Sequence, residues 1–307
     1  MNKTERVVVL GGTGFVGAVL AERWPADATP PIYLVHRSRP GWIDRQAIKS
    51  VPVDLEDPSS VAGALGTGAT IVNLLRPDGS GWYPKVIEML APLFARSGAR
   101  RCVHASSIDV YQDTASPVVS EATEPSPRGA YEKDHLAAEA MLTCKFDKAV
   151  ILRLGAVFGV GGLNVTALAR EMASAPNLTL WVRRALYGER RMHLVSVETV
   201  CDALISAALS ETLPYRLVLV TDDGAKENNF AFVQDALATA FGRSVPHAVP
   251  NIPRSVLRLL LRLRGLPIAG IDRRFSNERG RIFGVDPSAF PQRLHRYAQV
   301  LSQEIRA

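Results

Sequence analysis

The feature that most restricts this chain lies at its start. A short apolar run, Arg6-Val-Val-Val-Leu10, passes directly into Gly11-Gly-Thr-Gly-Phe-Val-Gly17, and a helix is expected from there through Arg23. A β-branched run bounded by turn residues reads as a buried strand. Glycines at positions 11, 14 and 17, between a strand and a helix, have the context of a phosphate cradle. Gly11 permits the tight turn, Gly14 lets backbone N–H groups approach a pyrophosphate, and Gly17 permits close packing of helix on strand. The helix N-terminus adds unpaired donors and the positive end of its dipole. The bland reading is a mere connecting turn, and the βα unit that follows argues against it.

From this start strands and helices alternate. Ile32–His36, Thr70–Leu74, Cys102–Ala105 and Ala149–Leu154 read as strands. Asp57-Pro58 opens a helix with a capping carboxylate and a proline at the first helical position. Pro84–Ser97 and Gly129–Thr143 carry apolar residues at helical spacing. The alternation predicts an α/β fold, a doubly wound parallel sheet of Rossmann type with a smaller C-terminal substrate-binding domain. Beyond residue 160 it loosens into helices over Leu163–Ser174, Val197–Leu209 behind Ser196, Asn228–Phe241, Pro253–Leu263 and the tail after Pro291, with one strand at Arg216–Val220. Thr114–Pro127 reads as a loop. The domains expected are a dinucleotide-binding unit over 1–160, joined by a returning segment at about 194–222, and a substrate-binding region from 161–193 and 223–307.

Composition narrows the class. With 307 residues, 47% of them hydrophobic, the chain can bury a sizeable core. Its 36 basic against 30 acidic side chains give +6, enough to attract an anionic ligand. The basic stretches lack the interleaved aromatics of a nucleic-acid platform, so no nucleic-acid partner is expected. No apolar run is long enough to span a bilayer, and three scattered cysteines form no disulfide framework. No HExxH or Cys/His spacing suggests a metal. A cytoplasmic protein with a small-molecule substrate and no integral membrane segment is the expectation. Arg254, Arg258 and Arg262 share one helical face, either of an amphipathic helix covering the substrate region or of one lying on a membrane surface.

The GxxGxxG spacing, Asp54-Leu55, Ala105-Ser-Ser107, Val110-Tyr111, Tyr131, Leu152-Arg153 and Phe158-Gly159 together resemble the extended short-chain dehydrogenase/reductase superfamily. More narrowly, the chain resembles the NAD-dependent epimerase/dehydratase family, which acts largely on nucleotide sugars. The resemblance implies a catalytic tyrosine at Tyr131 and a substrate-holding serine at Ser107, with Ser106 its neighbour and substitute. The family's lysine, four residues after the tyrosine, is His135 here, and Lys133 lies on another helix face. Histidine is shorter and mostly uncharged at neutral pH, so it can bond the nicotinamide ribose yet acidify the tyrosine less. The competing reading is a helix whose chemistry has decayed into packing.

Cofactor contacts are implied for Gly11, Thr13, Gly14, Phe15, Val16 and Gly17, for His36 and Arg37 after the second strand, and for Asp54, Leu55, Leu75 and Arg76. No acid follows the second strand until Asp44, while Arg37 and Arg39 suit a 2′-phosphate unless they are solvated loop charges. NADP is therefore expected ahead of NAD. Asp54 contacts adenine or serves the capping segment, and Arg76 pairs with phosphate, crowds the site or is solvated. The turn at Phe158–Gly161 lacks the family's proline. Arg191, in a basic loop with Arg183, Arg184 and Arg190, lies beside the position of a diphosphate-binding arginine. Relatives often dimerise through the helices matching Pro84–Ser97 and Gly129–Thr143, which implies a homodimer.

The function implied is an NAD(P)-dependent oxidoreductase or epimerase acting on a carbonyl or hydroxyl, with a nucleotide sugar favoured. Its rivals are a non-catalytic NADP-binding sensor or partner subunit, and a cyclase or dehydratase using the cofactor structurally. The histidine at position 135 keeps both rivals open.

Overall fold

The computed structural model describes residues 6–244 and 273–306. Its strands are β1 (Val7–Leu10), β2 (Ile32–Val35), β3 (Ser50–Pro52), β4 (Thr70–Asn73), β5 (Arg101–Ser107) and β6 (Val118–Val119). They continue with β7 (Ala149–Leu154), β8 (Ala156–Phe158), β9 (Leu194–Ser196), β10 (Leu217–Val220) and β11 (Arg274–Phe275). The helices are α1 (Phe15–Arg23), α2 (Gly41–Arg45), α3 (Pro58–Leu65), α4 (Trp82–Arg96) and α5 (Ala130–Lys145). After them come α6 (Thr166–Ser174), α7 (Asn177–Tyr187), α8 (Val197–Leu209), α9 (Phe230–Ala240) and α10 (Phe290–Arg306).

Seven strands form one parallel sheet in the order β3-β2-β1-β4-β5-β7-β10. The chain runs outward from β1 to β3, then returns to place β4 on the other side of β1. The order reverses there, with α1 packed on one face of the sheet and α4 on the other, and such a switch point is where α/β sheets bind ligands at the carboxyl edge.

Alternation along the strands sends side chains to both faces. Val8, Leu10 and Cys102 pack with Leu90, Phe94 and Leu142 of α4 and α5. Val7, Val9 and Val103 pack with Leu20 of α1 and Val200 and Leu204 of α8. Phe158, Leu237, Phe290 and Tyr297 centre a further core among α6, α9 and α10.

The structure corrects the expected elements at several points. The Thr114–Pro127 loop contains β6, which pairs with β11 because its partner arrives from far along the chain. Arg183 and Arg184 lie on α7, not in a loop, bound to Glu171 and Asp235 at 2.6 Å each. β5 runs past Ala105 to Ser107 because β7 pairs with it over its last residues, Ser107 opposite Leu154. The Pro253–Leu263 helix with Arg254, Arg258 and Arg262 lies outside the described residues. Among the described residues, no helix is long and apolar enough to cross a membrane.

Candidate active site

Gly11 has φ +67°, and a Cβ there would sit 2.6 Å from the Leu75 nitrogen. The loops after β1 and β4 thus meet backbone to backbone, which no side chain would allow. Leu75 is held in turn by Asn73, whose Oδ1 accepts its N–H at 3.1 Å. At Gly17 a Cβ would run into the Gly12 carbonyl, so glycine is needed for α1 to close onto its own entry loop.

Gly14 is different. It is the N-cap of α1, no side chain caps the helix, and a Cβ would meet nothing within 4 Å. Free first-turn N–H groups under open space fit the pyrophosphate of a dinucleotide. Thr13 and Val16 are half-buried beside this opening. The Phe15 ring packs against the turn at Gly159 and Gly162, which narrows its role to shaping the floor.

The other end of the candidate site lies beyond β2. His36 Nδ1 accepts the Leu55 N–H at 3.1 Å, with the Asp54 carboxylate 3.8 Å away. Arg39 is paired with Asp44 at 2.6 Å, so the two arginines of this loop are not equivalent. Arg37 is exposed, and its guanidinium carbon lies 5.1 Å from the centroid of the Trp82 ring.

Ser107 ends β5, and its hydroxyl accepts the Asp109 N–H at 3.1 Å to start a 3₁₀ turn. Tyr131 sits in the first turn of α5, where Glu132 accepts the Gly129 N–H at 2.7 Å and fixes the helix entry. Burial raises the Tyr131 pKa, as does Asp109; Arg76 and the hydrogen bond with Ser107 pull it down. One turn on, the His135 ring stands edge-on to Tyr131 at 4.7 Å and to Tyr83 at 5.8 Å. His135 is 2% exposed, and neither ring nitrogen has a partner. Burial, helped by Arg76, pushes its pKa down to about 4. The ring is neutral at physiological pH.

Behind it runs a buried polar row. The Asn73 amide, oriented by the Leu75 N–H, donates from Nδ2 to His104 Nδ1 at 3.0 Å. His104 Nε2 is then left to donate to the Tyr83 oxygen at 3.1 Å. Burial, with His135 nearby, holds the His104 pKa down to about 3. These residues come from three elements with no common spacing, so sequence reasoning missed them.

Ser106 needs correction as a substrate contact. It is 4% exposed and donates its hydroxyl to Glu139 at 2.5 Å. Glu139 also accepts from Arg153 at 3.0 and 2.5 Å, and Arg153 bonds the Tyr111 hydroxyl. Alternation along β5 explains this: Ser106 shares the α5 side of the sheet with His104, while Ser107 ends the strand at the carboxyl edge. Arg191 is also engaged, donating to the carbonyls of Ala225 at 2.6 Å and Asp223 at 3.3 Å. It therefore holds the loop after β10. Sequence reasoning also missed the pair formed by His193 and buried Asp223, 2.7 Å apart, with His193 at φ +50°.

Residues 7–220 match the family model described as NAD dependent epimerase/dehydratase family. A search of curated proteins finds no match. Among solved structures, the chain is similar to UDP-N-acetylglucosamine 4-epimerase from Methanobrevibacter ruminantium M1, at 15% identity and TM-score 0.71, over 98% of this chain and 99% of that one. It is similar to UDP-glucuronic acid 4-epimerase from Bacillus cereus, solved with UDP-glucuronic acid and NAD, at 14% identity and TM-score 0.69, over 97% and 99%. A UDP-N-acetylglucosamine 4-epimerase from Bacillus cereus is similar at 16% identity and TM-score 0.62, over 99% and 100%.

Proposed function

Because the chain belongs to the NAD dependent epimerase/dehydratase family, as an enzyme of the extended short-chain dehydrogenase type, we propose that it interconverts a hydroxyl and a carbonyl on a nucleotide sugar, with Tyr131 as acid and base and NADP(H) as cofactor. The observation that carries this reading is the Tyr131 ring in the first turn of α5, 4.7 Å from the buried ring of His135, whose two nitrogens have no hydrogen-bond partner. When bound, the cofactor supplies or accepts hydride. Every other part of the chemistry belongs to the chain.

The free N–H groups of the Gly11–Gly17 loop and α1 would hold the pyrophosphate, with Thr13, Phe15 and Val16 shaping the cradle. His36, Arg37, Asp54 and Leu55 would hold the adenosine end, and Leu75 and Arg76 the nicotinamide side. An orphaned ring nitrogen of His135 suits a ribose hydroxyl, because a buried polar atom without a partner is costly. Ser107 holds the substrate oxygen, and Tyr131 gives or takes the proton there. Neutral His135 does not assist ionisation of the phenol; the Arg76 cation does. The same reading assigns residues 1–160 with 194–222 to cofactor binding and the rest to substrate, and expects a homodimer through α4 and α5.

The UDP-sugar epimerases named above support the substrate class. The neutral ring at position 135 favours, as the second reading, a protein that binds the cofactor without turning it over. Purified protein is offered UDP-sugars and simple carbonyl compounds with each reduced cofactor, and absorbance of the reduced form is followed. Turnover that Tyr131→Phe lowers by about a hundredfold or more supports the acid–base role. An unchanged rate in that variant on a demonstrated substrate removes it.

A further inference from the structure

We propose, on the NADP reading above, that Trp82 is a specificity-determining residue of this chain: its indole braces Arg37 in the pose that receives a phosphate on the adenosine ribose. Arg37 follows β2, at the place where a chain distinguishes a free ribose hydroxyl from a phosphorylated one. It is exposed and, among the described residues, makes no hydrogen bond or ion pair, so its donors are open to an anion. Its guanidinium carbon lies 5.1 Å from the centroid of the Trp82 ring, and its charge also reaches the Asp78 carboxylate. A guanidinium on an aromatic face keeps its N–H edge available while losing most of its rotational freedom. Such an arginine has less order left to lose when an anion binds.

The brace is itself fixed on several sides. The Trp82 indole N–H donates to Glu56 at 2.7 Å, and its ring stacks on His36 at 5.9 Å and 18°. Its backbone N–H donates to the Ser80 hydroxyl at 3.2 Å, and that hydroxyl is held by Asp78 at 2.6 Å. The acids nearby are already engaged: Glu56 by the indole, Asp54 by the Glu56 N–H at 2.9 Å, and Asp78 by Ser80. Arg39 is tied to Asp44, which leaves Arg37 as the open cation of this loop.

The test uses fragments that need no substrate. Wild-type protein, Trp82→Leu and Trp82→Phe are titrated calorimetrically with adenosine 2′,5′-bisphosphate and with adenosine 5′-monophosphate, after circular dichroism confirms each fold. The wild type should prefer the bisphosphate. Trp82→Leu should reduce that preference by about three- to tenfold, the range of a partly exposed cation–π contact, while binding the monophosphate nearly as before. Trp82→Phe, which keeps an aromatic face, should retain most of it. A wild type without preference removes the NADP reading and the proposal with it. A wild-type preference that survives in Trp82→Leu overturns the role of Trp82 alone. Equal loss of both ligands in Trp82→Leu also overturns it, by making the indole a general adenosine contact.

Discussion

At position 135 a neutral ring stands where the family resemblance calls for an ammonium, and the positive charge felt by Tyr131 comes from Arg76 instead. Burial raises the phenol, so this cation is its main electrostatic support. Arg76→Gln is expected to move the Tyr131 titration upward, and His135→Lys to move it downward. Both shifts can be read by NMR of ring-labelled tyrosine, and in the pH–rate midpoint once a substrate is known. A second expectation follows from burying a neutral histidine. Unfolded His135 titrates near its ordinary 6.5 and the native ring at about 4, so the unfolded chain takes up the proton first. The stability gained by keeping the ring neutral is full above 6.5 and falls as pH drops toward 4. Asp222, raised by burial to about 7, acts in the opposite sense and masks part of this in the wild type. The comparison is therefore between variants: His135→Gln should flatten the loss of stability between pH 6 and 4.5 by up to about 1.4 kcal/mol per pH unit, measured from urea midpoints. Equal slopes would mean that the native ring already carries its proton.

At the scale of elements, the strand–glycine–helix unit can be tested by one substitution made twice. Gly17→Ala drives a methyl into the Gly12 carbonyl and should cost about 1–3 kcal/mol in unfolding experiments. Gly14→Ala meets open space and should leave stability within about 0.5 kcal/mol while weakening dinucleotide binding, read by calorimetry. Equal destabilisation by the two would remove the distinction between a packing glycine and a ligand glycine. Elements with strong local patterns were legible from sequence: β1, α4, β7 and α8 each carry a buried apolar stripe or run, and α1 follows the glycine turn. Those missed were short or lacked such a stripe. β3 has three residues, none fully buried, and α7 buries only Leu180. Both are held by neighbours, β3 by pairing with β2 and α7 by ion pairs to α6 and α9.

Across the whole molecule, Glu139 and Arg153 join α5 to the β5–β7 centre of the sheet, with Ser106 and Tyr111 completing the group. Both charged side chains are nearly inaccessible, so neither can turn to water when its partner is lost. Glu139→Gln should therefore cost about 3–5 kcal/mol in denaturant unfolding, while replacing both by apolar residues of similar volume should cost much less. A small loss in the single variant would show that water reaches the pair. The amino-acid sequence alone determined the doubly wound frame and the glycine turn between β1 and α1, because each is set by local periodicity or turn chemistry, while Ser107, Tyr131 and His135 were singled out by the family resemblance. The tertiary structure decided which of two adjacent serines reaches the carboxyl edge, that His135 is neutral and unpartnered, that Trp82 meets Arg37, and that one nitrogen of Arg191 donates to loop carbonyls. Those outcomes depend on burial and on groups far apart in the chain, and a residue's spacing carries no record of what packs against it.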